Sequence, residues 1–204
     1  MSLNGTDAYR RLDVPPLVAR AVRLAESQGF PFSCRPEQGR LLRVLAGGAR
    51  TSVAETGTGC GVGLAWLATG APPEVGIIGV ERDPGRAGAA AELFSDVPNV
   101  TVICGDWSAI YDHAPYDLVV LDGGGQGKNE GDEPADPFRL LSPGGTLVID
   151  DFTPARTSPP LFGGKPDLGR LHWLEHPGLT SVELRLAADL AAVVAVRPLP
   201  EPSA

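Results

Sequence analysis

The sequence predicts an α/β fold: a Rossmann-like sheet, mostly parallel, with helices on both faces and an antiparallel terminal hairpin. Short apolar runs rich in β-branched residues alternate with Ala-rich helical stretches through the middle of the chain. Strands that are apolar on both faces and alternate with helices are typical of a parallel sheet between two helical layers. The last two runs, "TSVELRL" and "LAAVVAV", are separated only by residues 187–189, too few for a helical crossover. We therefore expect these two runs to form a hairpin at the sheet edge.

The first 48 residues predict two helices that precede the first strand. In residues 15–28 the apolar positions fall on one helical face, and residues 36–48 read as a second helix that ends at two glycines. We expect residues 1–48 to contribute to the cover of a substrate site.

Strands and helices then alternate as far as residue 150. The predicted strands are 51–56, 76–81, 100–104, 116–122 and 145–150, and the predicted helices are 61–69, 84–94 and 133–141. A short irregular stretch follows the third strand. Residues 152–170 are rich in Pro and Gly and have little periodicity, so the segment 152–176 predicts a lid.

Composition limits the classes of function. With 204 residues and 43% hydrophobic residues, the chain is expected to be a single domain, 1–204. The formal charge of −8 and the scattered basic residues argue against nucleic acid as a partner. Three widely spaced cysteines suggest neither disulfides nor a zinc site, which favours a reducing, cytoplasmic setting. No apolar run is long enough to span a membrane, and we expect no membrane partner.

The stretch "VAETGTGCGVG", residues 53–63, predicts a tight turn between the first strand and the following helix. Such a turn can present backbone N–H groups and a helix N-terminus to a ligand. A phosphate loop is excluded because no Gly-Lys-Ser/Thr follows, and the dinucleotide pattern fails because Val62 occupies the sixth position counted from Gly57. The pattern that remains is acidic-x-Gly-x-Gly, from Glu55 to Gly59.

With this pattern the sequence resembles the class I S-adenosylmethionine-dependent methyltransferases, over about residues 38–197. The resemblance implies a seven-stranded sheet whose last strand is antiparallel. It also implies that the glycines approach the methionine and ribose portions of the cofactor, while Glu55 binds the α-ammonium.

Further residues that support the resemblance follow the next strands. Glu81 ends the second strand and can accept the ribose hydroxyls, and Asp106 with Trp107 can bind the adenine. Asp122 ends the fourth strand at the rim of the active site and is the predicted catalytic residue. The implied cofactor-binding set is Glu55, Gly57, Thr58, Gly59, Glu81, Arg82, Asp106, Trp107 and Asp122.

The stretches "LDGGG" and "SPGGTLVIDDFTP" look like the catechol and caffeoyl-coenzyme A O-methyltransferases, which hold a divalent cation. By that resemblance the metal ligands are Asp122, Asp150 and Asp151, a hard oxygen set suited to Mg²⁺ or Ca²⁺. The implied reaction is O-methylation of a small-molecule hydroxyl, with S-adenosylmethionine as methyl donor. A homodimer is an open alternative to a monomer.

The sequence departs from this group at the position of the general base. Related enzymes often have a Lys three residues beyond the first metal ligand, where this chain has Gly125. Lys128 is three residues further on and is not equivalent by position, and His172 and His176 are weaker candidates that we expect to be surface or capping residues. Three alternatives therefore stay open: a metal-independent methyltransferase, a non-catalytic S-adenosylmethionine-binding protein, and an NAD-dependent oxidoreductase in which Glu81 binds the NAD ribose.

Overall fold

A computed structural model describes residues 5–128 and 131–201. It contains one seven-stranded sheet. The strands, which we number in chain order, are β1 (Ser52–Thr56), β2 (Gly76–Glu81), β3 (Val100–Cys104), β4 (Tyr116–Leu121), β5 (Leu141–Phe152), β6 (Thr180–Arg185) and β7 (Ala191–Val196).

The spatial order of the strands is β3-β2-β1-β4-β5-β7-β6. Strands β1 to β5 pair in parallel, whereas β7 is antiparallel to both of its neighbours, β5 and β6. The predicted mostly parallel sheet with an antiparallel terminal hairpin is confirmed.

Helices cover both faces of the sheet, also as predicted. The helices are α1 (Pro16–Ser27), α2 (Pro36–Ala46), α3 (Val62–Gly70), α4 (Pro84–Leu93), α5 (Pro137–Leu140) and α6 (Leu168–Leu174). On one face a core forms around α1, α2 and α3, with Leu42, Leu64 and Leu67 fully buried. The core on the other face includes Tyr116, Leu140 and Trp173. No helix among the described residues is long and apolar enough to cross a membrane.

The sequence predictions fail mainly in two connections. The helix expected over 133–141 is only the single turn of α5, whose N-terminus is capped by the carboxylate of Asp136. The stretch after β3, expected to be irregular, is a 3-10 helix, Trp107–His113.

Within the predicted lid, Leu161–Phe162 and Lys165–Pro166 form a small hairpin, and α6 follows. Trp173 is completely buried, and its Nε1 donates a hydrogen bond to the carbonyl of Gln126. The end of this segment is therefore part of the core, and the lid stays a prediction for the part before α6.

Candidate active site

The loop that follows β1 is held at the sheet edge by close backbone contact. Gly57 has a φ of +77°, and a Cβ at this position would overlap the backbone of Gly123, which follows β4. The N–H groups of Gly57 and Thr58 both donate to the carbonyl of Val80. A side chain at Gly57 would separate the ends of β1 and β4, so the glycine is required by packing as well as by conformation.

Glu55 lies beneath this loop, against the first turn of α3. It is 2% exposed, and a Cβ at Gly63 would overlap its Oε1 atom. Burial raises the pKa of Glu55 to about 8, and nearby Asp150 adds to the shift. The buried Oε2 of Glu55 has no hydrogen-bond partner among the described residues. An unpaired buried carboxylate oxygen is costly, which makes it an acceptor that a bound ammonium or water can satisfy.

Glu81 joins the glycine loop to the start of α4. Its Oε2 accepts from the N–H of Gly59 at 2.8 Å, and its Oε1 accepts from the N–H of Asp83 at 2.8 Å. Arg86 also donates to Oε1, at 3.1 Å. Because each carboxylate oxygen has two lone pairs, Oε2 keeps one acceptor position for a ligand hydroxyl.

Asp106 and Trp107 lie together after β3. Asp106 caps the 3-10 helix, because its Oδ1 accepts from the N–H and the Oγ of Ser108, and the hydroxyl contact lowers the pKa of Asp106. Trp107 lies over Gly124 and Gly125, where its ring fills the space that side chains would occupy. Asp106 thus has a capping role, which leaves room for the predicted contact with adenine.

The residues predicted to bind the cofactor line two adjoining cavities. The larger, of about 120 Å³, is lined by Gly57, Glu81, Arg82, Asp106, Trp107 and Asp122. The smaller, of about 10 Å³, is lined by Glu55, Thr58 and Gly59 and has room for one water molecule. Gly57 and Asp122 line both. We call the two together the cofactor cavity.

Phe30 and Phe32 also line both parts of the cofactor cavity, and the sequence analysis missed them. They lie between α1 and α2, with their rings edge to face at 5.7 Å. The guanidinium of Arg86 lies 5.4 Å from the ring centre of Phe30. An aromatic residue in a short connection has no distinctive pattern in the sequence, so only the tertiary structure could reveal this cover.

The three predicted metal ligands come together at the ends of β4 and β5. Carboxylate oxygens of Asp122, Asp150 and Asp151 all lie within 4.8 Å of one another. Burial raises the pKa of Asp122 and of Asp150, and the neighbouring carboxylates of the cluster raise both further. Asp151 has a φ of +59°, an uncommon conformation for a residue with a side chain. This acidic cluster concentrates negative charge that a cation would stabilise.

The comparisons with known proteins agree with this geometry. Residues 54–152 match a family model described as a methyltransferase domain. This part of the chain is therefore similar to methyltransferase domains, and the strand order of the sheet agrees with the predicted fold. The resemblance seen in the sequence is therefore confirmed.

Several solved structures share the fold over nearly the whole chain, and two of the three described below are O-methyltransferases. The O-methyltransferase TomG of Streptomyces achromogenes, involved in tomaymycin synthesis and solved with S-adenosylmethionine, is 19% identical, with a TM-score of 0.68, covering 97% of this chain and 96% of that chain. An O-methyltransferase from Bacillus cereus, solved with S-adenosylhomocysteine, is 17% identical, with a TM-score of 0.69 and coverage of 96% and 97%. A cofactor-bound protein from MTB is 22% identical, with a TM-score of 0.70 and coverage of 98% and 99%. A comparison with curated protein sequences finds no match.

Lys128 lies beside the acidic cluster, which its position in the sequence did not suggest. Its Nζ donates to the carbonyl of Asp150 and lies 4.2 Å from the ring centre of Phe152. Burial lowers the pKa of Lys128, while the carboxylates of the acidic cluster raise it by smaller amounts. The loop brings the amine of Lys128 to the carbonyl of Asp150, beside the acidic cluster, although Lys128 is not equivalent by position to the lysine of related enzymes.

The structure also explains why position 125 holds no lysine. Gly125 is buried with a φ of +76°, and a Cβ there would lie 2.9 Å from the ring of Trp107. A side chain at this position would be strained and would collide with the ring. The glycine and the displaced lysine are therefore two consequences of one loop conformation.

The two histidines considered as bases pack elsewhere. The ring of His172 contacts those of Trp173 and His176, and His176 also lies 6.0 Å from Phe138. His176 accepts a hydrogen bond from the N–H of Gly178 at its Nδ1 atom. Neither lines a cavity that contains a member of the acidic cluster. Their interpretation as surface or capping residues agrees with these contacts.

Proposed function

We propose that this protein transfers the methyl group of S-adenosylmethionine to a hydroxyl oxygen of a small molecule. One observation supports this most: the acidic cluster and Lys128 lie between the cofactor cavity and a second cavity. Asp122 lines the cofactor cavity, while Asp151 and Lys128 line the second, which measures about 490 Å³. A volume of this size suits a small organic acceptor.

Methyl transfer between two bound molecules depends on alignment and on the nucleophilicity of the acceptor oxygen. S-adenosylmethionine supplies an electrophilic methyl group on a sulfonium sulfur. The protein must hold the acceptor hydroxyl on the far side of that methyl group and remove its proton. Asp122 is the residue of the cluster that reaches the cofactor cavity, so we assign it the positioning of the reacting groups.

Lys128 is the proposed general base. In its neutral form the amine accepts the proton of the acceptor hydroxyl as the oxygen attacks the methyl carbon and the carbon–sulfur bond breaks. Burial lowers the pKa of Lys128, which is a shift in the direction that a general base requires. This assignment fills the role that the sequence left empty at Gly125.

A hard divalent cation fits the acidic cluster. Three carboxylates converge there and offer the hard oxygen ligands that such a cation prefers. We propose that Asp122, Asp150 and Asp151 hold Mg²⁺ or Ca²⁺. The cation would lower the pKa of an acceptor hydroxyl.

The test is turnover with a panel of simple catechols and phenols, followed by mass spectrometry of the methylated acceptor. Asp122→Asn is expected to lower turnover about 10³-fold, since it removes a group that aligns the reaction. Asp13→Asn, an exposed aspartate beside α1 and α2, is the matched control and should keep full activity. S-adenosylhomocysteine binding without turnover on any acceptor would favour the non-catalytic alternative, and binding of NAD in its place would favour the oxidoreductase.

A further inference from the structure

The side chains of the second cavity indicate which class of acceptor it binds. This inference rests on the proposed O-methylation. The walls of the cavity come from the end of β5, the segment that follows it and α6. Its lining includes the basic residues Lys128, Arg156 and Arg170, the acidic residues Asp151 and Asp167, and several apolar side chains. The three basic side chains outnumber the two acidic ones, although the protein as a whole has a formal charge of −8. The cavity is therefore more positive than the rest of the molecule.

Two of the three basic side chains already bind other groups of the protein. Arg170 is buried, and its guanidinium donates to Asp167 at 3.0 Å, to Glu183 at 2.8 Å and to the carbonyl of Thr153 at 2.9 Å. Lys128 donates to the carbonyl of Asp150 beside the acidic cluster. Neither side chain is available to neutralise a charge on the acceptor without losing a contact of its own.

Arg156 differs from both. It is exposed and lines the same cavity, and within residues 5–128 and 131–201 its guanidinium makes neither a hydrogen bond nor an ion pair. A planar guanidinium of this kind recognises a carboxylate through two parallel hydrogen bonds.

The other walls of the cavity suit a flat apolar body. The ring centre of Phe152 lies 4.2 Å from Nζ of Lys128 and 4.7 Å from Cζ of Arg170. These two contacts fix the position of the ring. Leu161 and Phe162, in the small hairpin, are 47% and 79% exposed. Exposed apolar side chains around a cavity indicate that an apolar group covers them in the bound state.

We propose that the acceptor is an aromatic hydroxy acid and that Arg156 selects it by pairing with its carboxylate. The hydroxyl end would lie at Lys128 and the acidic cluster, and the ring would lie among Phe152, Leu161 and Phe162. An acceptor without the carboxylate is methylated less efficiently, because the guanidinium then has no partner.

Matched acceptors test the assignment. Catechol, 3,4-dihydroxybenzoate and the methyl ester of 3,4-dihydroxybenzoate share the reacting hydroxyls but differ in charge. The unmodified protein should favour the acid over the ester in kcat/KM by at least about tenfold. Arg156→Ala should remove this preference by raising KM for the acid about 10- to 100-fold while leaving the ester and catechol within about threefold. Arg156→Lys should restore part of the preference, and Arg23→Ala, an exposed arginine of α1, should change nothing.

Three outcomes would overturn the inference. Turnover of catechol with no preference for the acid removes the role of Arg156 and leaves the O-methylation intact. An equal loss on all three acceptors in Arg156→Ala shows a structural role for the arginine. Absence of turnover on all three, in protein that binds S-adenosylhomocysteine, rejects aromatic hydroxyls as acceptors and with them this inference.

Discussion

The glycine loop at 57–61 and the segment at 153–167 lie at the same edge of the sheet, yet they are held by different interactions. The loop is fixed by backbone hydrogen bonds to Val80 and by the carboxylate of Glu81. The segment is mostly exposed, and its strongest connections run to Arg170 and to Glu183. In the proposed reaction the fixed loop would hold the cofactor, and the more exposed segment would admit the acceptor.

The largest expected effect is the loss of turnover when the divalent cation proposed for the acidic cluster is removed. Removal of divalent cations with a chelator is expected to lower turnover about 10²- to 10³-fold, and added Mg²⁺ should restore it. Asp150→Asn and Asp151→Asn should each cause a comparable loss while S-adenosylhomocysteine affinity, measured by calorimetry, stays within about threefold. Full activity in chelator would show that the cluster works without a metal.

Replacement of Glu55 is expected to have a smaller effect, which weakens cofactor binding but raises the stability of the fold. Glu55→Gln is expected to weaken S-adenosylmethionine binding about tenfold, because the amide cannot ionise to pair with the α-ammonium as the proposed site requires. The same change should raise the free energy of unfolding at pH 7.5 by about 1–3 kcal/mol, since it removes a buried carboxylate with a raised pKa. Calorimetry and urea unfolding measure the two effects, with Glu26→Gln, exposed in α1, as the control.

The pH dependence follows from the direction of the shift. The pKa of Glu55 rises from 4.5 to about 8 on folding. Between these values the unfolded chain releases its proton while the folded protein keeps it, so stability falls as the pH rises through this range. The stabilisation by Glu55→Gln should therefore vanish near pH 4.5. A stabilisation of equal size at pH 4.5 and 7.5 would contradict the account.

The smallest effect is expected in backbone dynamics. Amide hydrogen exchange in 155–165 should be fast in the free protein and about tenfold slower with cofactor and acceptor bound. In α6 it should be slow in both states, because Trp173 is buried and bonded to Gln126. Strong protection of 155–165 in the free protein would remove the lid from the mechanism.

The turn between β1 and α3 could be predicted from the sequence because its signals are local. A strand, a turn that needs glycines and an acidic residue at the strand end lie within a few positions of one another, as at Glu55 to Gly59. The three aspartates of the acidic cluster could be paired only through the resemblance, which placed them after the fourth and fifth strands.

The acceptor region could not be predicted in the same way. Lys128 reaches Asp150 through the loop that follows β4. That loop packs against Trp107, which belongs to the connection between β3 and β4. The cover by Phe30 likewise depends on how the connection between α1 and α2 crosses the glycine loop, where a Cβ at Gly59 would lie 2.9 Å from its ring. These are long-range packing relations, which residue patterns do not encode.

The central claim is that methyl transfer occurs at the acidic cluster and Lys128, between the two cavities, and one comparison tests it most directly. Lys128→Met keeps most of the apolar stem of the side chain and removes the amine, and Lys165→Met, in the exposed hairpin, is the matched control. S-adenosylhomocysteine affinity and methyl transfer should be measured on the same samples. The account predicts unchanged affinity within about twofold and a loss of turnover of about 10³-fold at Lys128 alone. Full turnover in Lys128→Met, or an equal loss in Lys165→Met, would contradict it.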